Sequence, residues 1–219
     1  MLAGRKVVVV MPAYNAAASL RRTHDEVLAQ QIVDEVIVVD DASQDETVSL
    51  ARTLPQTRVY VHPDYQYTPK LIPAMAALIG GGLYHCVLGS RILGGYALRG
   101  GMPWWRYVGN RFLTLVENMF IGAKLSEYHT GYRAFSSELL RKLPLDANSD
   151  DFVFDNQVLA QVVWLGYAVA EVSCPTRYAP EASSINFRGS VRYGFGCLAT
   201  ALTFRLAKAG LIDSALLPR

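Results

Sequence analysis

Val7-Val8-Val9-Val10 is an unbroken apolar run of β-branched residues, the composition of a strand covered on both faces. Such strands belong almost only to parallel sheets flanked by helices, so this run restricts the fold before anything else is read. The residues that follow agree. Pro12 to Asn15 is turn chemistry, Ala16 to Gln31 reads as a helix, and Val36 to Val39 is a second buried strand ending at Asp40-Asp41. Ser43 or Asp45 is expected to cap a helix running to about Arg52, and Arg58 to His62 reads as a third strand. Strand, helix, strand, helix, strand is the order that right-handed crossovers impose on a parallel sheet.

Downstream, Pro69 to Ile79 is helical and Gly80-Gly81-Gly82 stops it before a fourth strand, Tyr84 to Leu88. Five glycines make Gly89 to Gly101 a long loop. Pro103, a favoured first-turn residue, opens a helix over Trp104 to Ile121. A short strand at Tyr132 to Phe135 and a helix at Ser137 to Leu143 come next. They are followed by a helix at Phe152 to Leu165, a strand at Ala168 to Val172, and a closing amphipathic helix over Ser190 to Ala209. No repeat, low-complexity tract or linker divides the chain, so the expectation is one domain over 1–219, with halves at 1–89 and 90–219.

Composition narrows the partners. Lysine and arginine exceed the acids by 21 to 19, but the charges are segregated. No acid falls between Asp64 and Glu117, where Lys70, Arg91, Arg99, Arg106 and Arg111 lie. None falls between Glu181 and Asp213, where Arg188, Arg192, Arg205 and Lys208 lie. Acid-free basic stretches suit a diphosphate or a lipid headgroup; with a net charge of only +2 and no dense basic run, nucleic acid is not expected. Cys86, Cys174 and Cys197 are odd in number and lack CxxC spacing, which argues against a disulfide scaffold or cysteine-built zinc site. No apolar stretch reaches the roughly 20 residues of a membrane span. The expectation is a cytoplasmic protein, peripheral at the inner face of the membrane if Trp104, Trp105 and Tyr107 with Arg106 and Arg111 rest on lipid rather than in a core.

In a parallel sheet flanked by helices, ligands sit beyond the carboxyl ends of the strands. Three polar groups fall there in succession: Pro12-Ala13-Tyr14-Asn15, Asp40-Asp41 and His62-Pro63-Asp64. A carboxylate in such a place can accept from a ribose hydroxyl or a nucleobase N–H. Beside a diphosphate it needs a divalent cation between.

The ordered strings VVVVMPAYN, VDEVIVVDDASQDET, HPDYQYTP, GSR, YHTGYRAF and DDFVFDNQ resemble family 2 glycosyltransferases, in particular the polyprenyl-phosphate mannosyl- and glucosyltransferases. The resemblance implies a three-layer GT-A-like α/β fold, a mostly parallel sheet flanked by helices. It makes 1–89 the nucleotide-sugar half and 90–219 the acceptor half. It implies donor contacts from Pro12, Tyr14, Asn15, Asp40, Asp41, Asp64 and Gln66, with Asp64 and His62 at the Mg²⁺ or Mn²⁺ position. Arg91, Arg133 and Asp155 take the catalytic positions, and Tyr132, Ser183, Ser184, Asn186 and Arg188 the acceptor positions. The donor is then a UDP- or GDP-hexose and the acceptor a lipid phosphate.

Three departures bear on this reading. Ala16 stands where the family has an acid, and His62 replaces the first acid of the metal motif. Asp41 and Asp64 are only 23 positions apart, room for one helix and one strand, so about one βα unit of the family pattern is missing. A lipid phosphate is already an anionic nucleophile and needs little general-base help, whereas a sugar hydroxyl would require a base, with Asp155 or Asp151 as candidates. The competing expectation is a catalytically impaired binding domain on the same fold. A phospho-receiver would place its acids after the first strand, and a nucleotidyltransferase would carry a glycine-rich basic loop there; neither pattern is present.

Overall fold

A computed structural model describes residues 2, 4–40, 43–60, 68–176 and 187–218, the last range without the side chains of Phe187 and Arg188. The described residues cluster into two compact units, one from Met1–Gly81 and Thr176–Ser184, the other from Gly82–Pro175 and Ile185–Arg219.

The first unit is built on three parallel strands in the order β1 (Val8–Ala13), β2 (Glu35–Asp40), β3 (Thr57–Tyr60), connected by α1 (Ala17–Leu28) and α2 (Thr47–Arg52). The pairing sets Val9 beside Val36, Met11 beside Val38 and Ala13 beside Asp40. These share one face, because side chains alternate along a strand. On that face Met11, Ala13, Val36 and Val38 join Leu20, Val27, Ala51 and Leu54 in a core. The opposite face departs from the both-faces expectation: Val8 and Val10 are 41% and 56% exposed. The valine run is continuous, yet Val7 and Val9 are only partly buried and Val8 and Val10 are exposed. His24, fully buried on α1, ties the layers together: its Nε2 lies 2.9 Å from the Pro55 carbonyl and 2.8 Å from Thr57 Oγ1. A 3-10 turn at Pro69–Leu71 leads into α3 (Ile72–Gly80), the helix expected from Pro69.

The second unit has a mixed sheet in the order β5 (Arg133–Phe135), β4 (Cys86–Ser90), β6 (Val169–Ser173), with β4 antiparallel to β5 and parallel to β6. Four helices complete it: α4 (Trp104–Ile121), α5 (Ser137–Leu140), α6 (Phe154–Trp164) and α7 (Phe187–Lys208). β4 is buried at every position. Cys86 and Leu88 from β4 join Ile121, Tyr128, Leu139, Leu159, Ala201, Phe204 and Leu217 in one apolar core. α4 ends at Gly122, whose φ of 84° is a left-handed cap that favours glycine. The three cysteines are free and buried.

Candidate functional site

At the carboxyl ends of β1 and β2, two loops are sewn together by hydrogen bonds. Asn15 adopts a left-handed backbone with φ of 49°, a conformation asparagine tolerates better than most residues. Its N–H donates to Ser43 Oγ at 2.8 Å, and its side-chain oxygen accepts the Gln44 N–H at 2.9 Å. The start of α1 has no side-chain cap of its own. The Ala16 N–H instead donates to Thr47 Oγ1 at 2.7 Å and the Ala17 N–H to the Asp45 carboxylate at 3.1 Å. These are donors a helix leaves unpaired at its first turn, satisfied here from the next loop. Burial works against the Asp45 charge, but hydrogen bonds from Thr47 and the Ala17 backbone outweigh it and hold the carboxyl below its usual range.

Asp40 is fully buried at the end of β2, accepting the Ser43 N–H at 2.9 Å and the Ser43 hydroxyl. It holds the turn at Ser43. Tyr14 stands 44% exposed and Pro12 is exposed beside it. Asp41, His62, Asp64, Gln66, Ser183, Ser184 and Asn186 lie outside the described residues, as does the Arg188 side chain.

In the second unit, the segment from Ser126 to Arg133 gathers the polar side chains. Glu127, fully buried, accepts the Arg91 backbone N–H and Arg91 Nε, each at 2.8 Å, and the Asn110 side-chain amide at 2.9 Å. The second Arg91 amine donates to the same carboxylate and, at 2.6 Å, to the His129 carbonyl. Arg91 is therefore charge-matched and 9% exposed. Arg133 is clamped by carbonyls: Nε donates to Thr130 at 2.8 Å, Nη2 to Tyr128 at 2.9 Å and Nη1 to Asp155. Its Nη1 is 3.9 Å from the Asp155 carboxylate, which is itself 52% exposed. Tyr132 is half-buried, and its ring covers Gly89 so closely that a Cβ there would meet Tyr132 Cδ1 at 2.7 Å. Glycine is required at that strand position for this approach. Burial pushes the Tyr132 hydroxyl up from its ordinary value.

A second buried network has no counterpart among the residues singled out from sequence. His129 Nε2 lies 3.1 Å from a Glu117 carboxylate oxygen, and His129 Nδ1 is 2.9 Å from the Tyr193 hydroxyl. The other Glu117 oxygen accepts the Asn156 amide. With Cys197, the Glu117 and His129 groups converge within 4.8 Å. Burial pushes the Tyr193 hydroxyl and the Cys197 thiol upward. These residues come from α4, α6, α7 and the loop between α4 and β5, so no local spacing marks them. The one available signal was Glu117 itself, the lone acid of an otherwise apolar and basic helix.

Comparison with known proteins gives these features a setting. Residues 8–63 match glycosyl transferase family 2. Glycosyltransferase AglD of Haloferax volcanii is 24% identical over 218 residues, covering 83% of this chain and 34% of that one. The low-salt glycan biosynthesis hexosyltransferase Agl6 of the same organism is 28% identical over 207 residues, 81% of this chain and 49% of that one. The chain thus spans between a third and a half of these two relatives. Among solved structures, glucosyl-3-phosphoglycerate synthase from Mycobacterium tuberculosis superposes with a TM-score of 0.64 at 21% identity, over 97% of this chain and 83% of that one. That likeness bears out the GT-A-like α/β fold. The β1 turn, the β2 acids and the stretch through Pro63 all fall inside the residues that match glycosyl transferase family 2.

Proposed function

We propose that this chain is an inverting glycosyltransferase that moves a hexose from a UDP- or GDP-sugar to a polyprenyl-phosphate-type acceptor with the help of a divalent metal. The observation that carries the reading is the rim joining Asn15 to Ser43, Gln44 and Thr47: it fixes the carboxyl ends of two parallel strands, the place where such sheets hold nucleotides. The solved neighbour from Mycobacterium tuberculosis was crystallised with Mn²⁺ and UDP, and with Mn²⁺, UDP-glucose and glycerol 3-phosphate. Those complexes support a metal-dependent nucleotide donor and an acceptor that carries a phosphate.

Asp64 and His62 would hold the ion, and one carboxylate with one imidazole suits Mn²⁺ better than Mg²⁺. When bound, the ion offsets the charge that develops on the departing diphosphate. The chain's own residues then divide the work. Pro12, Tyr14, Asn15 and Asp41 hold the nucleoside, and Gln66 lies beside the metal position. Arg133 supplies a fixed positive charge. Arg91, neutralised by Glu127, serves as a positioning residue for the Gly89–Arg91 segment. Tyr132, Ser183, Ser184, Asn186 and Arg188 receive the acceptor. Its phosphate oxygen attacks the anomeric carbon from the face opposite the leaving group. The new carbon–oxygen bond forms as the bond to the diphosphate breaks, and the configuration inverts. Asp155 would act as base only for a hydroxyl acceptor.

A second reading, a binding domain with impaired transfer, is favoured by β1. Among the described residues β1 pairs with β2 alone and leaves Val8 and Val10 exposed, as a sheet lacking one βα unit would. Titration calorimetry with UDP-glucose and GDP-mannose, in Mn²⁺ and then in EDTA, separates the two. Metal-dependent binding that Asp64→Ala abolishes supports transfer; no binding of either donor by folded protein supports the second reading.

A further inference from the structure

Glu117, His129 and Cys197 bring three ligand chemistries together inside the second unit: a carboxylate from α4, an imidazole from the loop before β5 and a thiol from α7. Their ligand atoms all lie within 4.8 Å of one another. Glu117 and Cys197 are fully buried, and the His129 side chain is 7% exposed. None of the three belongs to the donor, metal or acceptor residues of the proposed reaction.

The polar atoms at the centre of the cluster do not satisfy one another. Glu117 Oε2 and His129 Nε2 stand 3.1 Å apart, yet neither completes a hydrogen bond among the described residues. Asn156 Oδ1 is also buried without a partner there, although the nitrogen of the same amide donates to Glu117 Oε1. Each buried polar atom left in this state costs about 1–3 kcal/mol, so the cluster calls for a ligand. The outer atoms of the same groups are tied down: His129 Nδ1 lies 2.9 Å from the Tyr193 hydroxyl, and Glu117 Oε1 accepts from Asn156. A ring nitrogen held from behind and a carboxylate bonded on its far oxygen are the supports that orient metal ligands. The donor set selects the ion. A thiolate and an imidazole disfavour Mg²⁺ and Ca²⁺, and sulfur, nitrogen and oxygen together suit Zn²⁺. Two Zn²⁺ bonds of about 2.0–2.2 Å to nitrogen and oxygen span an edge close to the separation of His129 and Glu117.

We propose that Glu117, His129 and Cys197 form a structural Zn²⁺ site in the second unit, with a water or Asn156 Oδ1 in the fourth position. Binding forms the bond from Cys197 Sγ to the ion as the thiol proton leaves to solvent, and no oxidation state changes. The ion joins α4 and α7 to the segment that carries Tyr132 and Arg133. The site holds a single cysteine, so the absence of CxxC spacing leaves no trace of it in the chain. It is separate from the divalent ion of the donor site and does not rest on the proposed transfer reaction.

The test is titration of the full chain with Co²⁺ and with Zn²⁺ after dialysis against EDTA and a thiol reductant. Co²⁺ is the probe because a thiolate ligand gives it an intense near-ultraviolet charge-transfer band that carboxylate and imidazole do not. The expected result is a band that saturates at about one ion per chain, is displaced by Zn²⁺, and accompanies a higher melting temperature in the Zn²⁺-loaded protein. Cys197→Ser should abolish the band, and Cys86→Ser and Cys174→Ser should keep it. Glu117→Gln, which preserves the side-chain shape, should keep the band but weaken Zn²⁺ binding about tenfold or more, and it carries the assignment if Cys197→Ser does not fold. Asp64→Ala should leave the band intact. No band in the wild-type chain overturns the proposal, as does a band that survives Cys197→Ser, one lost in Asp64→Ala, or unchanged Zn²⁺ affinity in Glu117→Gln. Protein that shows the band but binds no nucleotide sugar supports the zinc site and counts only against the catalytic reading.

Discussion

The Asp45 carboxylate accepts the Ala17 N–H at 3.1 Å, so a residue just ahead of α2 caps α1. It also accepts the Thr47 N–H at 3.0 Å, and so serves the start of both helices. Asp45→Ala is therefore expected to cost about 1–2 kcal/mol, at the upper end for a cap. The carboxyl is held below its ordinary value of 3.8 in the fold. Its contribution is thus complete above the unfolded-state value and is lost as pH falls through the folded one. Urea melts at neutral pH and near pH 3 should show wild type and variant far apart in the first and converging in the second.

Glu127 offsets a buried arginine, and removing it leaves that charge alone. Glu127→Gln should destabilise the second unit by about 3–5 kcal/mol, while replacing both partners, as in Arg91→Met with Glu127→Leu, should cost less than the single change. Denaturant midpoints across the four proteins of this cycle give the answer. Additive losses would mean that the pair is not energetically coupled.

Arg133 and Asp155 should separate by readout. Arg133 bonds three carbonyls, so Arg133→Ala should lower stability by about 2 kcal/mol or more through the acceptors it leaves unpaired. Asp155 is 52% exposed and 3.9 Å from the guanidinium. Asp155→Asn should therefore shift stability by less than about 1 kcal/mol. Under the proposed phosphate acceptor its transfer rate stays within about tenfold of wild type; a loss of about a hundredfold or more would make Asp155 a general base and the acceptor a hydroxyl.

The thiols should be silent in the native protein. All three cysteines are buried, and burial pushes the Cys86 thiol up to about 12. Thiolate is the reactive form, so Ellman's reagent at pH 8 should label the folded chain only as fast as it opens, and three thiols at once in denaturant. Rapid labelling of one thiol in the native state would identify a locally open segment.

Local signals were read well and distant ones were not. Pro103 and Gly122 bracket α4, and the helix runs from Trp104 to Ile121 as the sequence indicates. The order of strands and helices through β3 follows from periodicity and turn residues alone. The exposure of Val8 and Val10 does not, because a valine run looks the same whether one or both faces are covered. Glu127 and Arg91 are 36 positions apart, and Glu117 meets Asn156 across 39; neither pairing leaves a pattern in the chain. The turn at the end of β1 was legible because turn chemistry at strand ends is local, whereas its bonds from Asn15 and Ala16 to Ser43, Gln44 and Thr47 were not. The role of Asp40 was less legible, since a carboxylate at a strand end reads the same in sequence whether it meets a ligand or, buried, holds the Ser43 turn.

β1 has a consequence for handling the protein as well as for its chemistry. Among the described residues its strand neighbour is β2 alone, which leaves a six-residue border bearing alternate uncovered valines. A border of this kind is a template on which strands from other chains can add. Solubility should therefore fall with concentration faster than thermal stability would suggest, and a charged substitution such as Val10→Lys should extend storage life without raising the melting temperature.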